Sequence, residues 1–297
     1  NKENFSVKLT NANLEAIKGK VCHGDYTIVD GSDIQKLYAK HMQGLDYVKD
    51  GDKGKVGLGY WLMNIIHLDK NGQITPLYNK LYSFACETRS ENTEIKQAVS
   101  TVKEVIGKKT KWLYDRGMDR EILRNFFIDE IGDDFILRLK KTTKLIYNGE
   151  ELNVSSISKK LHLYMELKAV KIRKNRKKEQ KYICGATKVQ YKSNKGIVDL
   201  WLVSTKREGG GYCWLLTQTS TDSIDQVIKE TFEGYGYRWK IEEYHRHIKE
   251  CYNLEDIQIK TFEGLQSMLA ILTIAMSFIY RELSSLHVKL LLESGIK

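Results

Sequence analysis

The chain has 297 residues, 41% of them hydrophobic, which is enough to build a core in one large domain or two ordinary ones and excludes global disorder. Its 48 Lys and Arg against 38 Asp and Glu leave a net charge of +10, favouring a polyanionic partner, nucleic acid before membrane. Five cysteines, at 22, 86, 184, 213 and 251, show no paired spacing, so the pattern argues against a disulfide framework or a zinc site and for a reducing compartment.

Residues 1–24 read as a polar, short-helical lead-in ending at His23-Gly24. The chain opens on Asn rather than Met, so a fragment or processed chain is expected, and no secretory signal is visible. DYTIVD (25–30) is a buried strand that should stop at a Gly-Ser turn. LGYWLMNIIHLD (58–69) and ITPLYNKLYSFA (74–85) read as a hairpin around Lys70-Asn71-Gly72. An amphipathic helix over 91–107 ends at Gly107; KTKWLYD (109–115) is an apolar run closing on an acid. The helix DREILRNFFIDEI and the strand DFILRLK (134–140) come next. Three strands, helix, strand, helix, strand predict a mixed α/β sheet with helices on its faces.

The next 80 or so residues change character: LYMELKAVKIR, KYICGATKVQY, IVDLWLVSTKR and GYCWLLTQT are strand-like and turn-punctuated, as in an antiparallel insertion. Gly209 to Gly211 leads into a strand rather than a helix, so it reads as a hairpin loop and not a phosphate cradle. Ser223 with Gln226 offers a capping box where helical periodicity resumes. The apolar run from Met268 to Tyr280 is about 13 residues long where a bilayer span needs roughly 20, which predicts a core helix within 261–283.

The most informative stretch is YGYRWKIEEYHRHIKE. Read as one continuous helix, it places Tyr235, Arg238, Glu242 and Lys249 within a sector of roughly 60°. Tyr237, Ile241, Tyr244 and Ile248 would then face a core. A carboxylate between fixed cations suits a site that holds a metal beside a phosphate, although Arg238 and Glu242 equally form an ordinary i,i+4 pair. His245 falls on the same face and reads as a surface histidine.

Asp30 and Asp115 each close a strand-like run, where sites collect in open α/β sheets. With a helical glutamate they could cage two divalent cations through oxygen ligands, magnesium or manganese by preference. Taken singly, each aspartate also suits turn chemistry.

VDGSDIQK, LYDRGMD and Y-x2-R-x3-E-x6-K resemble the three catalytic motifs of bacterial cut-and-paste DDE transposases, closest to the insertion-sequence-four family and its YREK signature. The resemblance covers roughly residues 25–280 and includes Arg89-Ser90-Glu91-Asn92 before the first long helix. It implies a ribonuclease-H-like mixed sheet flanked by helices and interrupted by an antiparallel β-rich insertion before the catalytic glutamate helix. It makes Asp30, Asp115 and Glu242 the catalytic metal ligands for two Mg2+ or Mn2+ ions, and it assigns Tyr235, Arg238 and Lys249 to phosphates near the transposon end. Trp214, in CWLLT, aligns with a tryptophan that stacks on a base flipped out during hairpin formation. The implied reaction is end cleavage through a hairpin and strand transfer into target DNA. The implied partners are double-stranded DNA and a second copy of the chain assembled on it, without a membrane, in the bacterial cytoplasm and nucleoid.

The expected organisation is a lead-in over 1–24, left from a missing or truncated N-terminal DNA-binding region, core over 25–140, insertion over 141–221, core with the catalytic helix over 222–285, and a tail over 286–297. KAVKIRKNRKKEQK (168–181), eight cations against one acid, is either a solvated hairpin end or a DNA-backbone contact. Two other readings stay open: a dormant transposase-derived DNA-binding protein, and a ribonuclease-H-like nuclease without strand transfer.

Overall fold

The computed structural model describes residues 4–36, 39–49, 54–86, 90–173 and 176–282; the tail expected over 286–297 lies outside them. The chain divides into two compact units, Asn1–Thr110 with Trp239–Lys297, and Lys111–Arg238.

The first unit begins with a helix, α1 (Phe5–Ile17), inside the short-helical lead-in expected over 1–24. Asn4 caps it by accepting from the Ser6 amide at 3.1 Å. Strands β1 (Tyr26–Gln35), β2 (Asp46–Lys49), β3 (Val56–Leu68) and β4 (Ile74–Tyr82) follow. β3 is the longest of the four and templates the rest: β1 runs antiparallel along one side of it, β2 and β4 along the other. This length corrects the expected end of β1 at residue 30. Gly31 and Ser32 remain in register with Met63 and Leu62, so ladder bonding carries the strand through a dipeptide that reads locally as a turn. Asp30 is therefore mid-strand, opposite Asn64.

Helix α2 (Glu91–Ile106) has the ends its sequence announces. Ser90 accepts from the Thr93 amide, Glu91 and Glu94 sit in the positive first turn, and Gly107 closes the helix at φ +65°. Two later helices, α6 (Trp239–Glu250) and α7 (Phe262–Glu282), complete the unit. α7 fills nearly the whole of the 261–283 range expected for it. By length and composition alone its Phe262–Tyr280 stretch could cross a membrane. One face nonetheless packs on α1 and β4. There Gln266 accepts from the Leu81 amide and Ser277 donates to the Pro76 carbonyl. The other face shows Ile271 and Phe278 to solvent, so α7 is only half a core helix.

A buried polar network ties these layers. Asn64 donates to Asn79, and Asn79 donates to Tyr244 on α6 and, at 2.7 Å, to Thr273 on α7. All four residues are at least 96% withdrawn from solvent, so water cannot replace these bonds if one is lost.

The second unit contains β5 (Lys111–Tyr114), a 3₁₀ turn (Arg116–Met118), α3 (Glu121–Phe126) running into a π turn (Phe127–Ile131), and β6 (Phe135–Arg138). Then come β7 (Lys144–Tyr147), β8 (Glu150–Asn153), α4 (Val154–Lys160), β9 (Met165–Arg173), β10 (Arg176–Lys192), β11 (Ile197–Arg207), β12 (Tyr212–Gln218) and α5 (Ile224–Gly236). Its strands run in the order β5-β6-β12-β11-β10-β7-β8, with β9 also on β10; β5 and β6 are parallel and the other pairs antiparallel. The run of antiparallel strands is therefore continuous with β6 through β12. β7, β8 and α4 were not anticipated, although Asn148-Gly149 at φ +51° and +81° is a standard hairpin signal. Ser223 stands at the start of α5, but its side chain makes no capping bond; Gln226 bonds Thr221 and Glu230 instead.

Tyr244→Phe leaves one Asn79 amide proton buried without an acceptor and should cost about 1–3 kcal/mol in urea unfolding. A loss below about 0.5 kcal/mol would show that the network is readily rearranged.

Candidate active site

The continuous helix expected around Tyr235 is two helices. α5 ends at Gly236, where the tight bonds Tyr237 N–H to Gly234 O (3.1 Å) and Arg238 N–H to Tyr235 O (3.1 Å) replace the α-helical pattern. Two glycines, 234 and 236, weaken the helix at this point. Tyr235 thus belongs to α5, Arg238 to the connector, and Glu242 and Lys249 to α6. The four residues therefore do not lie on one face of a single helix, the arrangement that the sequence pattern predicts. Ile241, Tyr244 and Ile248 are fully buried as expected, whereas Tyr237, in the connector, is exposed. His245 is buried, not on the surface.

In the second unit, Asp115 follows β5, as expected. Tyr114 before it is sealed in the core, its ring stacked on Phe127 with centroids 3.7 Å apart, so the strand that delivers Asp115 is rigidly held. The Asp115 carbonyl accepts from Met118 N–H at 2.9 Å to start the 3₁₀ turn. Three side chains converge on its carboxylate. Tyr235 donates its hydroxyl to Oδ1 at 2.7 Å, and Arg238 Nε and Arg138 Nη1 each stand 3.8 Å from the same oxygen.

Burial works to raise the pKa of Asp115, but Arg238, the Tyr235 hydrogen bond, the Arg116 backbone and Arg138 outweigh it, and the carboxyl is held below its ordinary value. The group is thus an anion at neutral pH, the form a cation ligand needs. Burial and the adjacent Asp115 charge keep the Tyr235 phenol protonated.

Trp214 is not part of this cluster. Leu215 pairs with Arg138, so those two share a sheet face, and strand alternation turns Trp214 to the opposite one. There its ring stacks parallel to that of Tyr212, with centroids 6.1 Å apart, and Lys206 stands 5.5 Å over the Tyr212 ring. Cys213, between them, faces Arg138 and Asp115, with burial raising its thiol pKa.

In the first unit, Asp30 is half-buried and its Oδ1 accepts from the Gly31 amide at 2.9 Å. Glu242 lies in the first turn of α6 and Lys249 in the last, where the helix dipole favours a cation. Lys249 Nζ is 3.5 Å from Oδ1 of Asp33, an acid that is itself nearly buried. Within each unit, no three His, Cys, Asp or Glu side chains among the described residues gather closely enough to hold a metal ion. In the basic hairpin, Lys171 stands opposite Lys178 and Arg173 opposite Arg176, while Lys168 pairs with Glu179 at 3.1 Å; positions 174 and 175 lie outside the described residues.

Sequence reasoning missed Arg138 and Asp33. Arg138 had one visible signal, an arginine set between two leucines in the strand-like run DFILRLK. Asp33 had none, since the strand was expected to end before it.

Residues 24–278 match the model of a family described as a transposase DDE domain. A search of curated proteins finds no match to the chain.

A folded-state pKa below the unfolded one contributes stability at neutral pH that is lost as pH falls through the folded value. Tyr235→Phe and Arg238→Gln each remove a group that lowers the Asp115 pKa, so both should raise it, and the acid limb of stability should move to higher pH. An Asp115 carboxyl NMR titration unchanged in both variants would contradict the assignment.

Proposed function

The chain belongs to the transposase DDE domain family, and on that premise we propose that it is the catalytic core of a cut-and-paste transposase of the insertion-sequence-four, hairpin-forming type. Such transposases generally act on DNA and use divalent metal ions. The observation that carries the reading is Asp115, kept ionised at the end of β5 by the tyrosine and arginine of the YREK pattern.

The donor set fits a hard divalent cation: Asp30, Asp115 and Glu242 offer only carboxylate oxygens, the ligands that suit Mg2+ or Mn2+. Two ions held by these three residues would supply activation of a water and stabilisation of the leaving oxygen at a phosphodiester. The rest of the work falls to the chain. Arg238 and Arg138 provide fixed positive charge beside Asp115, where a phosphate would be gripped, and Tyr235 orients the carboxylate through its hydroxyl. Lys249 is proposed to bind a further phosphate near the transposon end, with Asp33 holding its ammonium between encounters.

Trp214, with Tyr212, is proposed to receive an unpaired base during hairpin formation. Taking a base out of the duplex costs a few kcal/mol, which an aromatic face can offset. The segment 168–181, with eight cations against one acid, is proposed to lie along a DNA backbone, where its charge would add sequence-independent, salt-sensitive affinity. Assembly as a homodimer on DNA, action in the bacterial cytoplasm, a ribonuclease-H-like core and a β-rich insertion over 141–221 complete the proposal.

Asp30→Asn, Asp115→Asn and Glu242→Gln should each abolish Mg2+- or Mn2+-dependent nicking of plasmid DNA while retaining a cooperative thermal transition and DNA binding. Nicking that survives one of these changes removes that residue from the ligand set. A wild-type chain that binds DNA without cutting it, with either metal, would favour the dormant binding protein. Trp214→Ala should slow hairpin formation on a nicked transposon end by about 10-fold or more while sparing the first nick. Equal slowing of both steps would assign Trp214 to packing.

A further inference from the structure

The end of β1 and the chain just after α6 meet at a buried ammonium. Lys36 is 3% exposed, and its Nζ donates to three backbone carbonyls, Leu254 O at 2.7 Å, Glu255 O at 2.9 Å and Ile257 O at 2.7 Å. An ammonium has three protons, and here each has an acceptor. Burial pushes the Lys36 pKa down to about 8 against the pull of Glu255 and Asp256, so the group is still charged at neutral pH. The carbonyls belong to a chain reversal that sequence periodicity gives no reason to expect. Asn253 adopts a left-handed φ of +47°, and the Asp256 amide closes a turn on the Asn253 carbonyl at 2.9 Å. With neither a helix nor a ladder to serve them, these carbonyls need an outside donor, and Lys36 is it.

Two further links join the same pieces. The Gln35 amide donates to Glu255 Oε1 at 3.2 Å, and Asp33 meets Lys249 in the last turn of α6. Residues 33–36 thus hold α6 and its following turn through consecutive polar contacts. Asp30 lies six residues up β1 from Lys36, about 20 Å away at strand rise. Glu242 lies seven residues up α6 from Lys249, about 10 Å away at helix rise. The clamp is therefore remote from both acids yet fixes the strand that carries one against the helix that carries the other.

We propose that Lys36 is a positioning residue for Glu242: by knotting the turn after α6 to the end of β1, it sets the placement of Glu242 relative to Asp30. This rests on the reading of Asp30 and Glu242 as metal ligands, and the test separates the two. A buried cation is a costly way to join a strand to a loop, and breaking such a contact leaves buried polar groups unmet. What it provides is directionality, since three short hydrogen bonds leave α6 little freedom to slide or turn.

The test uses the whole chain with Lys36→Met, which keeps the side chain's length without its donors, and Lys36→Arg, which keeps the charge with a different donor geometry. Amide hydrogen exchange, without DNA or metal, should show residues 244–257 losing about 10-fold or more of their protection in Lys36→Met, with β5 to β12 unchanged. Plasmid nicking at saturating DNA should fall about 100-fold, the scale of a misplaced catalytic group, while plasmid affinity holds within about twofold. Lys36→Arg should recover part of both. Unchanged exchange in Lys36→Met overturns the clamp. Lost protection with full nicking overturns the positioning role, as does a parallel loss of nicking and DNA affinity. If Lys36→Met does not fold, Lys36→Arg decides alone, since the proposal requires reduced nicking at intact affinity there too. A wild-type chain without nicking activity defeats the transposase reading, and the exchange experiment still judges the clamp.

Discussion

Asp115 is a carboxylate partly withdrawn from water that nonetheless stays ionised, because Tyr235, Arg238 and Arg138 stand against it. Desolvation alone would favour the neutral acid, which is a poor ligand for a cation. The Tyr235 hydroxyl and the positive charges reverse that preference. The strand that presents Asp115 is held by the stacking of Tyr114 on Phe127, and the helix that presents Tyr235 packs on β10 and β11.

The first unit solves a different problem, seating α6 on the β1–β3–β4 sheet with a defined rotation and height. Apolar packing by Ile241, Tyr244 and Ile248 supplies most of the adhesion but little directional information. The Asn64–Asn79–Tyr244–Thr273 network adds that information in the middle of the helix, and the residues at the end of β1 add it at the C-terminal end. Buried polar groups tolerate few alternative partners, so together these contacts select one register for the helix carrying Glu242.

The break between α5 and α6 gives the YREK pattern its physical sense. Divided at the glycine-weakened connector, the pattern sends Tyr235 and Arg238 to Asp115 in one unit, while Glu242 and Lys249 belong to the sheet of Asp30 in the other. Neighbours in sequence here belong to different elements, because α5 ends at Gly236 and α6 starts at Trp239.

The sequence by itself determined the elements whose cause is local. The caps of α2, the long apolar strands, the antiparallel run and the loop at Gly209–Gly211 all follow from turn chemistry and periodicity within a few residues of where they act. The resemblance of its motifs to those of DDE transposases put forward Asp30, Asp115, Glu242, Tyr235, Arg238 and Lys249 as candidates. Only the tertiary structure decided that β1 continues past Gly31, since the partner that holds it open is β3, some 30 residues later. Only it revealed Arg138 beside Asp115, Asp33 beside Lys249 and Lys36 inside the turn after α6, because those pairs are separated by 23, 216 and roughly 220 residues. A hydrogen bond or ion pair is set by distance in space, and the periodicity of a single chain records only the neighbours along it.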